Sequence, residues 1–108
     1  MSRGEIWTLA GGGDYTGKPR PVAILQDDLF DSLDSVTVCP LTGDDAMALF
    51  RVPVEPSQSN SLGLRSRLMA DKVTTVRKSP LGQRLGVLSD AHLSNLESAV
   101  LTFLGFAR

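Results

Sequence analysis

The 108-residue chain is predicted to form one mostly β domain, a small and strongly bent antiparallel sheet whose core is closed by a C-terminal helix. Three observations carry that prediction. Short runs alternating apolar with polar residues recur along most of the chain, as half-buried strands require. Stretches rich in Gly, Pro and Asp separate these runs and supply the turns. Apolar residues at helical spacing occur only near the end, between Ser89 and Gly105.

The first strand is Glu5-Ile6-Trp7-Thr8-Leu9, with Ile6 or Trp7 turned inward. Gly11-Gly12-Gly13-Asp14-Tyr15-Thr16-Gly17 cannot hold regular structure and reads as a mobile loop with one aromatic residue. No Gly-Lys-Ser/Thr ending and no helix follow it, which argues against a nucleotide-binding P-loop. A flap closing on a substrate fits better, beside the plainer reading of a hairpin loop. Next comes Lys18-Pro19-Arg20-Pro21-Val22-Ala23-Ile24-Leu25, in which two prolines stiffen the backbone around one arginine at the mouth of an apolar strand, Pro21 to Gln26. That arginine is either a functional cation on a rigid support or a solvated loop residue.

Asp27-Asp28-Leu29-Phe30-Asp31 is short enough for a turn or one helical turn, with Leu29 and Phe30 as core anchors. Ser35 to Thr42 forms the third strand. Val36, Val38 and Pro40 fall on one face, and Thr37, Cys39 and Leu41 on the other. Cys39 reads as a small buried apolar residue. Leu49 to Glu55 alternates again, and Pro53 marks it as an edge strand or a bulge. Arg65 to Val76 reads as one long bent strand or two short ones. Ser79-Pro80-Leu81-Gly82 is a turn before a last short strand, Gln83 to Leu88. The helix has Ser89 and Asp90 as candidate caps, a stripe of Leu93, Leu96, Val100 and Leu104 joined by Leu101 and Phe103, and Gly105 as its stop. His92 is a surface residue of its first turn.

Composition sets further bounds. One cysteine excludes an internal disulfide, and one cysteine with one histidine gives no clustered soft or imidazole metal site. The start, Met1-Ser2-Arg3-Gly4-Glu5, runs straight into a strand, so no signal peptide is expected, and no apolar run is long enough to span a bilayer. A cytoplasmic protein is the expectation. The formal net charge is -1, yet the charges are segregated. Asp27, Asp28, Asp31, Asp34, Asp44 and Asp45 share one stretch without a basic residue, while Arg65, Arg67, Lys72, Arg77, Lys78 and Arg84 share another in which Asp71 is the sole acid. Such segregation either builds a basic face for a polyanion or an acidic partner, or lets the two groups meet within the fold.

Four segments, taken in order, resemble the MazF/PemK (Kid-like) toxins of type II toxin–antitoxin systems: Arg3 to Trp7, Lys18 to Leu25, Val38 to Thr42, and Ala70 to Val76. Each alone is weak, but together their order and spacing are fairly specific, and the resemblance runs through the final helix. It implies an SH3-like barrel with a C-terminal helix, and a homodimeric endoribonuclease that cuts single-stranded RNA without metal or other cofactor and is blocked by a cognate antitoxin. Matched by position, Arg20 corresponds to the family's catalytic arginine, Thr42 to its catalytic Thr/Ser, and Asp71 to an acid implicated in some members. An arginine that some members carry two residues before that acid is Met69 here, so that helper is missing or replaced by Arg67. A loop histidine of some members has no counterpart, Asp14 being the nearest polar residue. Asp14, Tyr15, Lys18, Arg67, Lys72, Arg77 and Lys78 are the candidate RNA-binding residues.

The implied chemistry suits these side chains. RNA supplies its own nucleophile, the neighbouring 2′-OH, so the protein has to orient one phosphate, accept a proton and stabilise charge. A guanidinium stays protonated and grips phosphate with two donors, so Arg20 suits a clamp better than an acid. The Thr42 hydroxyl can donate to the same oxygens, and an acidic antitoxin tail could occupy the same groove. Two alternatives stand beside this one: a CcdB-like gyrase-binding toxin, against which the tail Leu104-Gly105-Phe106-Ala107-Arg108 lacks a Trp-Gly-Ile-like ending, and a catalytically dead member that only binds.

Overall fold

The computed structural model describes residues 1–10, 19–46 and 48–107. Its seven strands are β1 (Glu5–Leu9), β2 (Arg20–Ile24), β3 (Ser35–Thr42), β4 (Val52–Val54), β5 (Ser66–Leu68), β6 (Thr74–Arg77) and β7 (Leu81–Val87), followed by the helix α1 (Asp90–Phe103). Short 3₁₀ turns cover Asp28–Phe30, Ala48–Phe50 and Ala70–Lys72. All strand pairs are antiparallel, in the order β4-β5-β3-β2-β1-β7, with β6 paired to β3 as well.

β3 bends the sheet. Its first half, Ser35 to Val38, pairs with β6, while Leu41 and Thr42 pair with β5. The expected stretch from Arg65 to Val76 is therefore two short strands, parted by the Ala70–Lys72 turn as the chain moves from one end of β3 to the other. Val76 of β6 and Leu81 of β7 pack on one apolar cluster, so the sheet curls. Among the described residues no ladder joins β6 to β7, and the sheet stays open. It is barrel-like in its bend, not in closure. β4 is an edge strand bonded to β5 alone in that order, so Pro53 removes no ladder bond on its outer side.

The alternation sorts side chains onto two cores. Ile6, Ala23 and Cys39 stand in one cross-strand row and join Leu41, Leu68 and the helix residue Leu96 in the larger cluster. Val22, Ile24, Val36 and Val38 form the second cluster on the opposite face, with Trp7 and Leu9 packed against it. Gly86 in β7 lets a loop pass close by, since a Cβ there would lie 2.1 Å from the Ser59 carbonyl oxygen.

The helix starts where its cap residue predicts, the Ser89 hydroxyl accepting from the His92 amide at 3.1 Å. It ends before Gly105, whose φ of +83° is the left-handed conformation that glycine adopts without strain. Leu96 is fully buried and Val100 packs on the core, but Leu104, expected in the same stripe, is the exposed C-cap residue, and Leu101 and Phe103 are exposed as well. Leu29 and Phe30 also depart from expectation, being 80% and 52% exposed instead of anchoring the core. Their turn is held by polar contacts: the Asp27 carboxylate accepts from the Leu29 amide, Asp28 from the Arg3 amide, and Asp31 from the N-terminal ammonium. No helix among the described residues is long and apolar enough to cross a membrane.

Candidate active site

The face of β2 and β3 that carries the smaller core changes character towards one end. Ile24 stands opposite Val38, and Val22 opposite Pro40. The β2–β3 ladder ends at Val22 and Pro40, and Arg20 and Thr42 each lie two residues beyond it on their own strands. On its other side Thr42 pairs with Arg67 of β5. By strand alternation Arg20 and Thr42 fall on the same face as Val22 and Pro40, and Arg67 stands directly opposite Thr42. Directly opposed residues of an antiparallel pair share a face, so Thr42 and Arg67 make this end of the face polar where its Val22 and Val38 end is apolar.

Arg20 and Thr42 also line one cavity of about 270 Å³, with Leu41, Leu62, Leu64 and Ser66 in its wall. Arg20 is the first residue of β2 and is exposed, so the cation is carried on a strand end fixed by its neighbours. Its ladder partner in β1 is Leu9. Thr42 ends β3, as expected, and is half-buried. Its hydroxyl oxygen accepts the Asp44 amide at 3.2 Å. That bond uses a lone pair and leaves the hydroxyl proton to donate into the cavity. Gly43 keeps the turn close to the wall, since a Cβ would come within 2.9 Å of the Leu64 Cδ1.

Asp71 stands differently from Arg20 and Thr42. Arg51 donates to both of its oxygens, Nε to Oδ1 and Nη2 to Oδ2, each at 3.1 Å, with the two side chains 9% and 12% exposed. The Arg51 guanidinium holds the Asp71 carboxyl below its ordinary value, so at neutral pH it is a weakly basic, fully engaged anion. Arg51 also donates to the Ala46 carbonyl. The Ala46 amide reaches Asp44, and the Asp44 amide reaches Thr42. Asp71 therefore connects to Thr42 through a chain of hydrogen bonds along the loop after β3. Sequence reasoning missed Arg51, although it is the only cation between Arg20 and Arg65.

The remaining candidates divide. Arg67 stands opposite Thr42, with its guanidinium on Asp45 at 3.0 Å. Lys72 is exposed beside Asp71. Arg77 pairs with Ser35 at the far end of β3, seven residues or roughly 23 Å from Thr42 at strand rise. Lys78 adjoins it, bonded to the side chain and carbonyl of Asp31. The acidic and basic stretches thus meet within the fold, at Asp31 with Lys78 and at Asp45 with Arg67. Asp14, Tyr15 and Lys18 lie outside the described residues. No group of three or more His, Cys, Asp or Glu residues among those described could hold a metal ion. Burial pushes the Cys39 thiol up to about 12, with Asp71 adding to the shift, so it is no nucleophile at neutral pH.

Comparison with known proteins identifies the family. A protein named "Probable endoribonuclease MazF" from Mycolicibacterium smegmatis is 50% identical over 108 residues, covering 99% of each chain. The Mycobacterium tuberculosis toxin MazF-mt6 superposes with a TM-score of 0.79 at 26% identity, covering 95% of this chain and 99% of that one. A mycobacterial endoribonuclease in complex with its cognate antitoxin has the same fold, with a TM-score of 0.81 at 23% identity over 100% of this chain and 98% of that one. Residues 2–104 match the family described as the PemK-like, MazF-like toxin of type II toxin–antitoxin systems, and the chain belongs to that family.

Proposed function

We propose that the chain is an endoribonuclease that cuts single-stranded RNA, with Arg20 and Thr42 acting on one phosphate. The observation that carries this reading is that both side chains line one cavity, in a protein half identical to a relative named as a probable endoribonuclease. Arg20 grips the non-bridging oxygens with two donors and remains charged throughout. Thr42, its oxygen held by the Asp44 amide, donates its proton to the same oxygens as charge develops on them. The 2′-OH attacks phosphorus and gives its proton to solvent water as the P–O2′ bond forms. The P–O5′ bond breaks and the departing oxygen takes up a proton, giving a 2′,3′-cyclic phosphate and a 5′-OH. The nucleophile belongs to the substrate, so this route asks for no metal-bound water.

In this reading Asp71 acts indirectly. Locked to Arg51, it holds the loop that fixes the Thr42 hydroxyl, a positioning role rather than that of a general base. The protein works as a homodimer against cytoplasmic RNA, and a cognate antitoxin restrains it by laying an acidic tail over the groove beside Arg20 and Arg67. The family match and the named relative favour RNA over gyrase as the target.

The test is incubation of purified protein with single-stranded RNA in excess chelator, followed by analysis of the ends. Cleavage leaving cyclic phosphate and 5′-OH is the expected result. Intact RNA, or cleavage that requires added metal, would count against the reading.

A further inference from the structure

Arg67 lies one ladder step from Thr42, on the side away from Arg20. Its Nε and Nη2 both donate to the same oxygen of Asp45, at 3.1 and 3.0 Å. Access to the two partners is unequal: the Arg67 side chain is 13% exposed and that of Asp45 is 85% exposed. The cation is largely enclosed beside Thr42, and the carboxylate is a cover resting on it from the solvent side.

The loop that carries Asp45 is pinned on both sides of it. The Asp44 amide is held by Thr42, and the Ala46 amide by the Asp44 carboxylate. Asp45 can thus swing its side chain away without disturbing Thr42. A carboxylate and a phosphodiester offer a guanidinium the same kind of anionic oxygen edge. An ion pair with so exposed an anion contributes little in water, so exchanging one anion for the other costs little.

We propose that Arg67 is a second phosphate subsite, taking a phosphodiester that neighbours the one held by Arg20 and Thr42, and that Asp45 fills it until RNA displaces the carboxylate. The inference rests on the endoribonuclease reading above. It makes Asp45 a determinant of RNA affinity that acts through Arg67. A negative charge near the groove would also weaken RNA binding by simple repulsion, but that effect would not need Arg67.

The experiment is equilibrium binding of a mixed-sequence, single-stranded RNA carrying 2′-fluoro groups, which cannot be cut by 2′-OH attack. Asp45→Asn should tighten binding roughly 3- to 10-fold in the otherwise unchanged protein, and less than about 2-fold in an Arg67→Gln background. Arg67→Gln alone should flatten the dependence of log affinity on log salt by about 0.7, the loss of one phosphate contact on a single strand. If Arg67→Gln does not fold, Arg67→Lys replaces it as the background; it lacks the two-donor fork and should shrink the Asp45→Asn gain. No gain from Asp45→Asn, or an equal gain in both backgrounds, overturns the subsite while RNA binding by the unmutated protein keeps the function reading. Failure of the unmutated protein to bind the RNA overturns both.

Discussion

Arg51 and Asp71, twenty positions apart, are joined by two parallel hydrogen bonds of 3.1 Å that use both carboxylate oxygens. The pair ties the Ala70–Lys72 turn to the segment before β4, and through Ala46 to the loop that holds Thr42. Asp71→Asn should therefore destabilise the protein by roughly 1–3 kcal/mol at neutral pH, because it leaves a nearly buried guanidinium poorly paired. The carboxyl titrates lower in the folded chain than in the unfolded one, so its contribution is fully present above the unfolded value near 4 and is lost as pH falls through the folded one. Chemical denaturation across pH should show the gap between Asp71→Asn and the unmutated protein holding from neutrality down to about pH 5 and closing in stronger acid.

A second expectation concerns Cys39. It is buried in the larger core and its thiol is pushed up to about 12, so the native protein should resist alkylation and cleavage should survive thiol reagents. Labelling at the unfolded-state rate under native conditions would show that the core around β3 is not packed as described.

How much of this could be read in the sequence depends on the range of the interaction. Alternation in β3 encodes both of its faces, and Thr42 is legible as its end because Gly43 and two aspartates follow. The prolines around Arg20 mark a fixed cation, and the strand ends of β2 and β3 then bring it and Thr42 to one cavity. Ser89 and Gly105 bracket the helix through local backbone chemistry alone. Leu29 and Phe30 misled because hydrophobicity does not say whether a short turn faces the core, and here polar contacts fix it outward. Arg51 with Asp71, and Asp45 with Arg67, are pairs some twenty residues apart. They meet through the pairing of β5 with β4 and with the end of β3, which no spacing rule encodes.

The exposed apolar surface predicts self-association. Leu49 and Phe50 line a groove of about 460 Å³ together with Phe103, and Leu101, Leu104 and Phe106 are exposed as well. Sedimentation should show a two-fold dimer at micromolar concentration. Phe103→Glu should shift the protein towards monomer without unfolding it, since Phe103 contributes little to the monomer core.

Antitoxin and RNA should compete. If an acidic tail lies over Arg20 and Arg67, a dimer saturated with antitoxin should bind single-stranded RNA at least tenfold more weakly than the free dimer, a loss of about 1.4 kcal/mol. Undiminished RNA affinity in the saturated complex would mean that the two ligands use separate surfaces.

The central claim is that Arg20 and Thr42 act on one phosphate, and cleavage kinetics of point variants test it most directly. Thr42→Ala should lower the rate on the order of 100-fold, as expected for removing a donor to developing charge. Arg20→Lys should recover activity only in part, because an ammonium lacks the two-pronged contact. The decisive measurement is the single-turnover rate of Arg20→Ala on single-stranded RNA, in a protein whose melting curve shows that it is folded. Near-complete loss of cleavage is the predicted result. Cleavage at the unmutated rate would contradict the account and leave Arg20 a solvated residue at the end of a strand.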